Sequence, residues 1–348
     1  MGELSTAFGA ALTSLRRQRG WSQAALAQAV GVSRQTIIAI EQGEQEPHLG
    51  LAVALAERLQ VSLDELVRTN DHEPPRRPDL WVEGEPPQYP TPVVWSRMQG
   101  RLVAARWTSL TTPTVVDAWW DPDLDLLTHL PSARPPERVI FVAGCDPFLP
   151  WLKAQFESKV PGMSLEALPF SSKRALAALR DGTIHMAGSH WYDPLSGRYN
   201  QVSSFFPFPI RQLPYLHWQE GVIQHPDAEV PQQWAIREPG SEAAALWQRC
   251  RTSSIESNQV LTFSRHEEIV EYVADHPTAA GVTIGALGTL HGLVFTPWAD
   301  EEYVWCIRAA DETSEWFSPL AAIRQAPTLR RLFEPMPHME LWTADHVS

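Results

Sequence analysis

The chain has 348 residues, of which 44% are hydrophobic, and a formal net charge of −13. This length predicts more than one domain, and the acidic balance argues against a protein that wraps nucleic acid through a broadly basic surface. With no apolar run of roughly eighteen residues, no signal peptide and no metal-type spacing among Cys145, Cys250 and Cys306, we expect a cytoplasmic protein with reduced thiols and no membrane contact.

The stretch from Ser22 to Gly43 has the pattern of two short helices joined by a tight turn. Ser22 is placed to cap the first helix, and Gly31 supplies the flexible backbone of the bend. Ser33 can cap the second helix, in which Ile37 and Ile40 share the inward face. This arrangement predicts a helix-turn-helix.

The first turn of the second helix carries outward polar side chains, where a reader of the DNA major groove needs them. Arg34 can donate two hydrogen bonds to guanine, and Gln35 can bind adenine in the same way. Gln23, at the start of the preceding helix, is expected to contact phosphate. The predicted DNA-binding residues are Gln23, Ser33, Arg34, Gln35, Thr36 and Ile38.

The flanking sequence extends this pattern. Leu51, Leu55 and Leu59 form a further helical stripe, and Ser62 with Glu65 predicts a capping box for a last short helix. The segments RRQRGWSQAALA, GVSRQTI, IEQGEQEP and LAERLQVSLDEL resemble the signatures of the five-helix DNA-binding domain of the Xre (phage-repressor-like) family.

The Xre resemblance implies that residues 1–69 form an all-α domain that binds double-stranded operator DNA. A helical bundle for protein contacts is the alternative, but it would not require outward arginine and glutamine after such a turn. Residues 1–70 contain six arginines and seven acidic residues, so the domain is nearly neutral. Modest affinity per monomer favours a homodimer on a two-fold operator.

Residues 70–92 are rich in proline and charge and predict a semi-rigid interdomain linker. The next segment, 93–110, predicts two strands around Gln99 and Gly100, and 115–120 predicts a third. We therefore assign residues 93–137 to a small β insert.

Residues 138–348 alternate strand-like and helix-like segments, which predicts a parallel or mixed sheet with helices on both faces. Ligands of such sheets bind at the carboxyl ends of the strands, near helix N-termini. Small polar residues stand at four of these positions, in VAGCDP, PFSSKRAL, AGSHW and REPGSEAA. Hydroxyls and backbone N–H groups at helix N-termini are suited to hold an anion.

Six segments in order, VAGCDP, FSSKRALAALRDG, HMAGSHWYDPLSGRYN, WQEGVI, REPGSEAA and GVTIGA, resemble the periplasmic-binding-protein-like domain found behind helix-turn-helix modules and in molybdenum-cofactor proteins. The resemblance implies an α/β domain of two lobes that close on a small ligand, such as a molybdate-like oxyanion or a molybdenum-cofactor precursor. Carried over to this sequence, the ligand-binding residues are Cys145, Ser172, His190, Arg237, Ser241, Thr283 and Tyr303.

The sequence departs from that family pattern at two positions. Cys145 stands where many members have a small hydroxyl residue, and GSEAA replaces GSGTR, so Glu242 takes the place of a donor. An acid beside an anion costs affinity, which weakens the case for a plain tetrahedral oxyanion. Tryptophans 191, 218 and 298 lie beside the motifs and would suit an aromatic organic ligand, although packing is the commoner role.

Two readings of Cys145 remain open, a small residue in place of serine or a reactive thiol that senses oxidants or soft metals. We expect His185 and His190 to be a core residue and a ligand donor, and not a pair of metal ligands. We predict no metal site, no cofactor and no catalytic residue.

We expect a multidomain, ligand-responsive transcription regulator that senses a small-molecule effector. One alternative is an enzyme or binding protein of cofactor biosynthesis with an accessory DNA-binding module, for which His190, Asp146 and Glu242 are the candidate acids or bases. An interaction scaffold is the other.

Overall fold

The computed structural model describes residues 3–61, 63, 66, 77–107, 115–130, 133–228, 230–251 and 260–342. The chain separates into two compact units, Met1–Pro75 and Arg76–Ser348. The predicted capping box of Ser62 and Glu65 lies outside the described residues. Within the described ranges, no helix combines the length and apolar character needed to cross a bilayer.

The described part of the first unit contains four helices: α1 (Glu3–Gln18), α2 (Gln23–Val30), α3 (Arg34–Glu41) and α4 (Leu49–Leu59). The predicted caps are present, because the Ser22 side chain accepts from the Ala25 N–H and the Ser33 side chain from the Thr36 N–H. Gly31 ends α2 in the left-handed region, with φ of 74°. The helix-turn-helix predicted from the sequence is therefore confirmed.

Arg16 of α1 holds the C-terminal end of α3. Its Nε donates to Glu41 Oε1 at 2.5 Å and its Nη2 to Glu41 Oε2 at 3.1 Å, while Nη1 donates to the Trp21 carbonyl at 2.8 Å. Gly9 permits a close approach of the same two helices, since a Cβ there would lie 2.4 Å from the Ile40 carbonyl oxygen. The position of α3 is thus set by α1 as well as by the turn that precedes it.

The second unit begins with a small sheet. Its described strands are β1 (Leu80–Trp81), β2 (Thr91–Met98), β3 (Arg101–Arg106), β4 (Ala118–Asp121) and β5 (Leu126–His129), in the order β1-β3-β2-β4-β5. The predicted turn at Gln99 and Gly100 is confirmed, with φ of 51° and 79°, the backbone that matches the twist of a tight hairpin.

The predicted linker over 70–92 is wrong in its second half. Leu80 and Trp81 pair in parallel with Val103 and Ala104, and Trp81 packs edge-on against Trp120 with ring centroids 5.1 Å apart. Burying an indole outweighs the local preference of a proline-rich segment for an extended solvated chain. The small sheet accordingly starts before residue 93.

The main sheet contains nine described strands: β6 (Val139–Gly144), β7 (Ser164–Pro169), β8 (Met186–Ser189), β11 (Ile210–Gln224), β12 (Gln233–Arg237), β13 (Val260–Phe263), β14 (Ala279–Ile284), β15 (Val294–Arg308) and β16 (Met339–Leu341). Their order in the sheet is β13-β12-β14-β11-β15-β8-β6-β7, with β16 paired to β11. A separate hairpin of β9 (Tyr192–Asp193) and β10 (Arg198–Tyr199) follows β8.

The helices of this unit are α5 (Leu149–Lys159), α6 (Ser172–Asp181), α7 (Glu242–Cys250), α8 (His266–Asp275), α9 (Gly285–Leu290), α10 (Phe317–Arg324) and α11 (Pro327–Phe333). One lobe consists of β6, β7 and β8 with α5 and α6, and the other consists of β12, β13 and β14 with α7 and α8. The strands within each lobe are parallel, as predicted.

The antiparallel pair β11–β15, each strand 15 residues long, joins the two lobes, because β11 also pairs with β14 of one lobe and β15 with β8 of the other. The two-lobed α/β fold expected from the sequence is therefore confirmed. Arg134 ties the small sheet to this domain, since its guanidinium binds Asp117 Oδ2 at 2.7 Å and also Glu166 of β7.

We predict that Arg16→Ala lowers the free energy of unfolding of the first unit by about 3–5 kcal/mol, the cost of removing one partner from a buried ion pair. Arg16 is 7% exposed, so water cannot replace the lost guanidinium. Urea unfolding of the intact chain, followed by far-UV circular dichroism, measures the effect.

Arg58→Ala is the matched control, since Arg58 is exposed and donates one hydrogen bond, from Nε to the Ala29 carbonyl. We expect its loss to be no more than about 1.5 kcal/mol. Equal losses in the two variants would contradict the role assigned to Arg16.

Candidate functional site

The start of α3 presents an exposed polar face. Arg34 and Gln35 are exposed, and Ile38 is half-buried beside them. Ser33 and Thr36 are engaged with each other, with their hydroxyl oxygens 2.9 Å apart, so they hold the helix start. Contact of Arg34 and Gln35 with base edges stays a prediction.

Gln23 is held within its own unit. Its Nε2 donates to Glu41 Oε2 at 2.8 Å, the carboxylate that Arg16 also binds. The amide predicted to contact phosphate thus has an internal partner. A direct phosphate contact by the Gln23 side chain stays a prediction.

In the second unit, two strand ends bring a thiol and an imidazole together. Cys145 follows β6 and His190 follows β8, and these strands are parallel neighbours. Cys145 Sγ lies 3.1 Å from His190 Nε2. The other ring nitrogen of His190, Nδ1, lies 2.5 Å from Glu301 Oε2. The three side chains form a continuous polar chain, from a half-buried thiol to a buried carboxylate.

Glu301 lies on β15 and is held by residues of β11 and β10; β11 and β15, the two strands that join the lobes, are here called the crossing strands. Trp218 on β11 stands opposite Glu301 on β15 in the antiparallel register, and its Nε1 donates to Glu301 Oε2 at 3.0 Å. The Tyr199 hydroxyl donates to Oε1 at 3.4 Å. Burial alone would raise the pKa of Glu301, but the charge of His190 and the hydrogen bonds to this carboxylate hold that pKa below its ordinary value. Glu301 is thus the ionised carboxylate of the cluster.

Glu220 is the neutral partner of Glu301. It lies two residues beyond Trp218 on the same face of β11, and its side chain is fully buried. Burial, and then the negative charge of Glu301, raise the pKa of Glu220 well above its ordinary value. Carboxylate oxygens of Glu220 and Glu301 lie within 4.8 Å of each other. Two buried carboxyl groups this close ionise one at a time, so we assign the proton to Glu220.

His190 is the cation that balances this site. Burial alone would lower its pKa, but the charges of Cys145 and Glu301 and its hydrogen bonds to both raise it well above the ordinary value for histidine. The ring is also packed edge-on against Trp218, with centroids 5.2 Å apart. Its orientation is therefore fixed, with one nitrogen facing the thiol and the other the carboxylate.

A cavity of about 120 Å³ opens beside Cys145. Its wall includes Leu149 and Pro150 in the first turn of α5 and the Arg265–Glu267 segment at the start of α8, so it lies between helix N-termini of the two lobes. Arg237 and Asp146 also line it. Such a position favours a bound anion.

Arg237 and Asp146 supply complementary donors. Arg237 is 2% exposed, and Glu238 accepts from its Nε at 3.0 Å and its Nη2 at 2.9 Å. Nη1 has no hydrogen-bond partner among the described residues. Burial raises the pKa of Asp146 to about 7, so this carboxyl group is substantially protonated near neutral pH. Its Oδ2 likewise has no partner in the described part of the chain.

The structure places the predicted ligand-binding residues in different settings. Cys145 and Arg237 line the cavity directly. Ser172 supports the buried His190, whose backbone N–H donates to its Oγ at 3.1 Å. Thr283 contacts His266, another residue of the cavity wall, with Oγ1 and Nδ1 2.9 Å apart.

Tyr303 is fully buried against two glycines that leave room for its ring. A Cβ at Gly144 or Gly188 would lie 2.2 or 1.7 Å from its hydroxyl oxygen. Ser241 caps α7, since its Oγ accepts from the Ala244 N–H and donates to the Glu238 carbonyl. The helix cap thus uses the hydroxyl proton of Ser241, and a contact between Ser241 and a ligand stays a prediction.

Three potential metal-ligating side chains meet in this cluster. Donor atoms of His190, Glu220 and Glu301 all lie within 4.8 Å of one another. However, the 2.5 Å between His190 Nδ1 and Glu301 Oε2 is a hydrogen-bond distance. Two ligands of one tetrahedral zinc ion, each about 2.0–2.2 Å from the metal, lie more than about 3 Å apart. The arrangement fits a proton-sharing chain better than a preformed metal centre.

Sequence reasoning missed Glu220 and Glu301 as site residues. Both lie on the crossing strands. The signal in the sequence is an acidic residue within a segment that is otherwise apolar enough to be buried. Glu220 interrupts WQEGVI and Glu301 lies in DEEYVW. A buried acid in a strand requires a partner or a proton, but the sequence does not say which residue supplies it.

Comparison with known proteins identifies both regions. Residues 12–66 match the family model described as helix-turn-helix, and residues 153–325 match the one described as PBP superfamily domain. No curated protein gives a significant match to the chain.

Three solved structures illustrate the similarity. An ABC-type phosphate transport receptor from Vibrio cholerae is 11% identical over 57% of this chain and 100% of its own, with a TM-score of 0.41. The regulatory domain of MetR, a LysR family regulator from N. meningitidis, is 11% identical over 59% of this chain and 98% of its own, with a TM-score of 0.44. A restriction-modification controller protein from Aeromonas hydrophila is 33% identical over 18% of this chain and 92% of its own, with a TM-score of 0.17.

We predict that the stability of Glu220→Gln relative to wild type increases as the pH rises from 5 to 8. The folded state raises the pKa of Glu220, so its contribution to stability is complete below the ordinary carboxyl pKa and is lost as the pH rises through the folded value. The difference in unfolding free energy should grow by at least about 1.4 kcal/mol, the equivalent of one pKa unit. Urea unfolding monitored by tryptophan fluorescence measures it.

Glu301→Gln is the matched comparison on the opposite strand. It removes the ionised carboxylate that balances His190, so we expect a loss of stability at every pH in this range. If both variants lost stability equally at pH 8, the assignment of the proton to Glu220 would be wrong. Asp146 titrates in all three proteins, so its contribution cancels.

Proposed function

The chain carries an N-terminal Xre-type helix-turn-helix domain and a C-terminal domain of the PBP superfamily, and from this pairing we propose that it is a ligand-responsive transcription regulator. It would act in the cytoplasm as a homodimer on a two-fold operator. The observation that carries the proposal is the cavity between the two lobes, on the same chain as the exposed Arg34 and Gln35.

The cavity favours a small anionic or carbonyl-bearing effector. Two helix N-termini, the Nη1 donor of Arg237 and a protonated Asp146 all provide positive potential or hydrogen-bond donors to an oxygen-rich ligand. Glu267 opposes a high negative charge on the ligand. A cavity of about 120 Å³ has room for a small oxyanion or carboxylate.

Regulation would follow from unequal affinity of the effector for two arrangements of the lobes. A ligand that contacts both α5 and α8 favours the arrangement in which these helix starts are close together. The crossing strands β11 and β15 are the elements that must bend or twist as the lobes move. The change would reach DNA by altering the separation of two recognition helices in the dimer.

The alternative function is an enzyme with an accessory DNA-binding module. In its favour, Asp146 has a pKa of about 7 and lines the cavity, and His190 contacts Cys145. Glu242, the third candidate, is engaged by the Tyr192 N–H at 3.3 Å. A regulator needs only to bind its ligand at this site and does not need to turn it over. A regulator also gives the helix-turn-helix a role, which an enzyme does not require.

We predict that Arg34→Ala costs about 1–3 kcal/mol of operator affinity and relaxes specificity at one base position, because a bidentate base contact is lost. The operator is first selected from random duplex DNA with the wild-type protein. Fluorescence anisotropy then compares this operator with a scrambled sequence.

Arg34→Lys is the matched control, since it keeps the positive charge and removes the planar pair of donors. We expect it to lose specificity while binding scrambled DNA as wild type does. Losses of equal size on operator and scrambled DNA would rule out base reading by Arg34. Failure to select any operator would rule out the regulator.

We predict that Arg237→Gln lowers the affinity for an anionic ligand by about 1.5–3 kcal/mol, the range for hydrogen bonds to charged groups. Thermal shift of the intact protein with molybdate, phosphate, sulfate and small carboxylates identifies the ligand, which at a hundredfold excess over its Kd adds about 2.7 kcal/mol of stability. Glu238→Gln is the control, because it leaves the Arg237 guanidinium in the cavity wall. Unchanged affinity in Arg237→Gln would remove this residue from the site.

A further inference from the structure

Cys145 is the terminal member of a hydrogen-bonded chain and lines the cavity. Glu301 and Trp218 fix the ring of His190, so His190 Nε2 faces Cys145 Sγ at 3.1 Å. Transfer of the thiol proton to Nε2 yields a thiolate beside an imidazolium, and Glu301 stabilises that cation through Nδ1. A cysteine paired with an oriented histidine is the usual arrangement of an activated sulfur nucleophile.

A second feature of the cavity indicates that something binds next to this thiol. Asp146 is 4% exposed and lines the same cavity, yet its Oδ2 contacts no hydrogen-bond partner among the described residues. A buried polar atom of this kind costs free energy unless a ligand or water satisfies it. The cavity beside Cys145 is therefore suited to a ligand with an oxygen that accepts from Asp146.

We propose that Cys145 is a nucleophilic thiolate that captures a small α,β-unsaturated carbonyl compound through a covalent bond. The inference rests on the proposed sensing function of the same cavity and names the chemical class of its effector. It favours the reactive-thiol reading of Cys145 over that of a small residue in place of serine.

The reaction balances with groups that the cavity already contains. The Cys145 thiolate attacks the β-carbon, so an S–C bond forms and the π electrons of the C=C bond move to an enolate. Arg237 Nη1 and the protonated Asp146 are the donors available to the enolate oxygen. The α-carbon then takes the proton from His190 Nε2, which leaves a thioether and a neutral imidazole.

The described cysteines favour this addition over oxidation by peroxide. An oxidised Cys145 would need a second thiol to form a disulfide. Cys250 is exposed on α7, and Cys306 is buried within β15, where burial raises the pKa of its thiol to about 12. Neither thiol contacts Cys145 in the described part of the chain. The carbon addition requires no second thiol and no external reductant.

The test is the rate at which acrylamide, a small unsaturated amide, labels Cys145 and Cys250 of the intact protein, read by mass spectrometry of peptides. A free thiol with a pKa near 8.5 is ionised only to roughly 0.3% at pH 6. A thiolate of lower pKa is intrinsically less nucleophilic, which offsets part of its advantage. We expect Cys145 to react at least about tenfold faster than Cys250 at pH 6, with little change up to pH 8.

The pH profile must be compared with the other titratable and charged groups near the pair. They are Asp146 after β6, Tyr199 on β10, Glu220 on β11, Arg237 at the end of β12, Glu242 on α7, His266 on α8, and Glu301 and Tyr303 on β15. Burial raises the pKa of Asp146 to about 7, within the pH range of the experiment. An Asp146→Asn variant therefore separates its titration from that of the thiol.

His190→Gln should remove the advantage of Cys145 at pH 6 and make its rate rise with pH, as expected of an unactivated thiol. Glu301→Gln should lower the rate to an intermediate value, because the imidazolium loses its carboxylate. His225→Gln is the matched control, since His225 directly follows β11 and contacts Asp227. Cys250 reports on each variant from within the same molecule, and circular dichroism verifies its fold.

The proposal is overturned if Cys145 reacts no faster than Cys250 at pH 6, or if its rate is the same in His190→Gln as in the wild-type protein. If the His190 variant does not fold, the profile of Glu301→Gln decides in the same way. Operator binding by the unlabelled protein is measured separately. A failure of the proposed DNA-binding regulator is thereby distinguished from a failure of the covalent step.

Discussion

Two carboxyl groups, Glu220 and Glu301, lie fully buried where the strands that join the lobes run side by side. Both cannot be ionised at once without a large electrostatic cost, so one keeps its proton and the other requires a cation. His190 is that cation, and its second nitrogen faces Cys145. The state of the thiol at the cavity wall therefore depends on a charge balance set in the core between the lobes.

This charge balance also restricts how the domain can respond to a ligand. Trp218 and Glu301 occupy paired positions on β11 and β15, so a twist of these strands changes the distance from carboxylate to imidazole. A ligand that alters the lobes would thus alter the Cys145–His190 contact, and a change at Cys145 would alter the lobes. Because the two equilibria are linked, the free energy by which the lobe arrangement changes the Cys145–His190 contact equals the free energy by which that contact changes the lobe arrangement.

Much of the fold was predictable because local patterns determined it. Caps at Ser22 and Ser33, and buried strands such as β6, follow from short-range rules. The meeting of Cys145 and His190 was also accessible, because carboxyl ends of parallel strands share an edge. Glu301 was not, because its neighbours depend on the register of an antiparallel pair more than 80 residues apart in the chain. Similarly, the burial of Trp81 depends on a distant partner, Trp120, and nothing in the proline-rich segment itself indicates it.

The contact between α1 and α3 determines how much of the chain a DNA-binding chimaera must include. Gly9 lets the backbones of the two helices touch, the Ser5 hydroxyl donates to the Gly43 carbonyl at 3.1 Å, and Arg16 clamps Glu41. A graft that begins at residue 12, where the family match starts, would omit the first two of these contacts. The transplantable module is therefore larger than the motif that defines it, and its N-terminal border must precede Ser5.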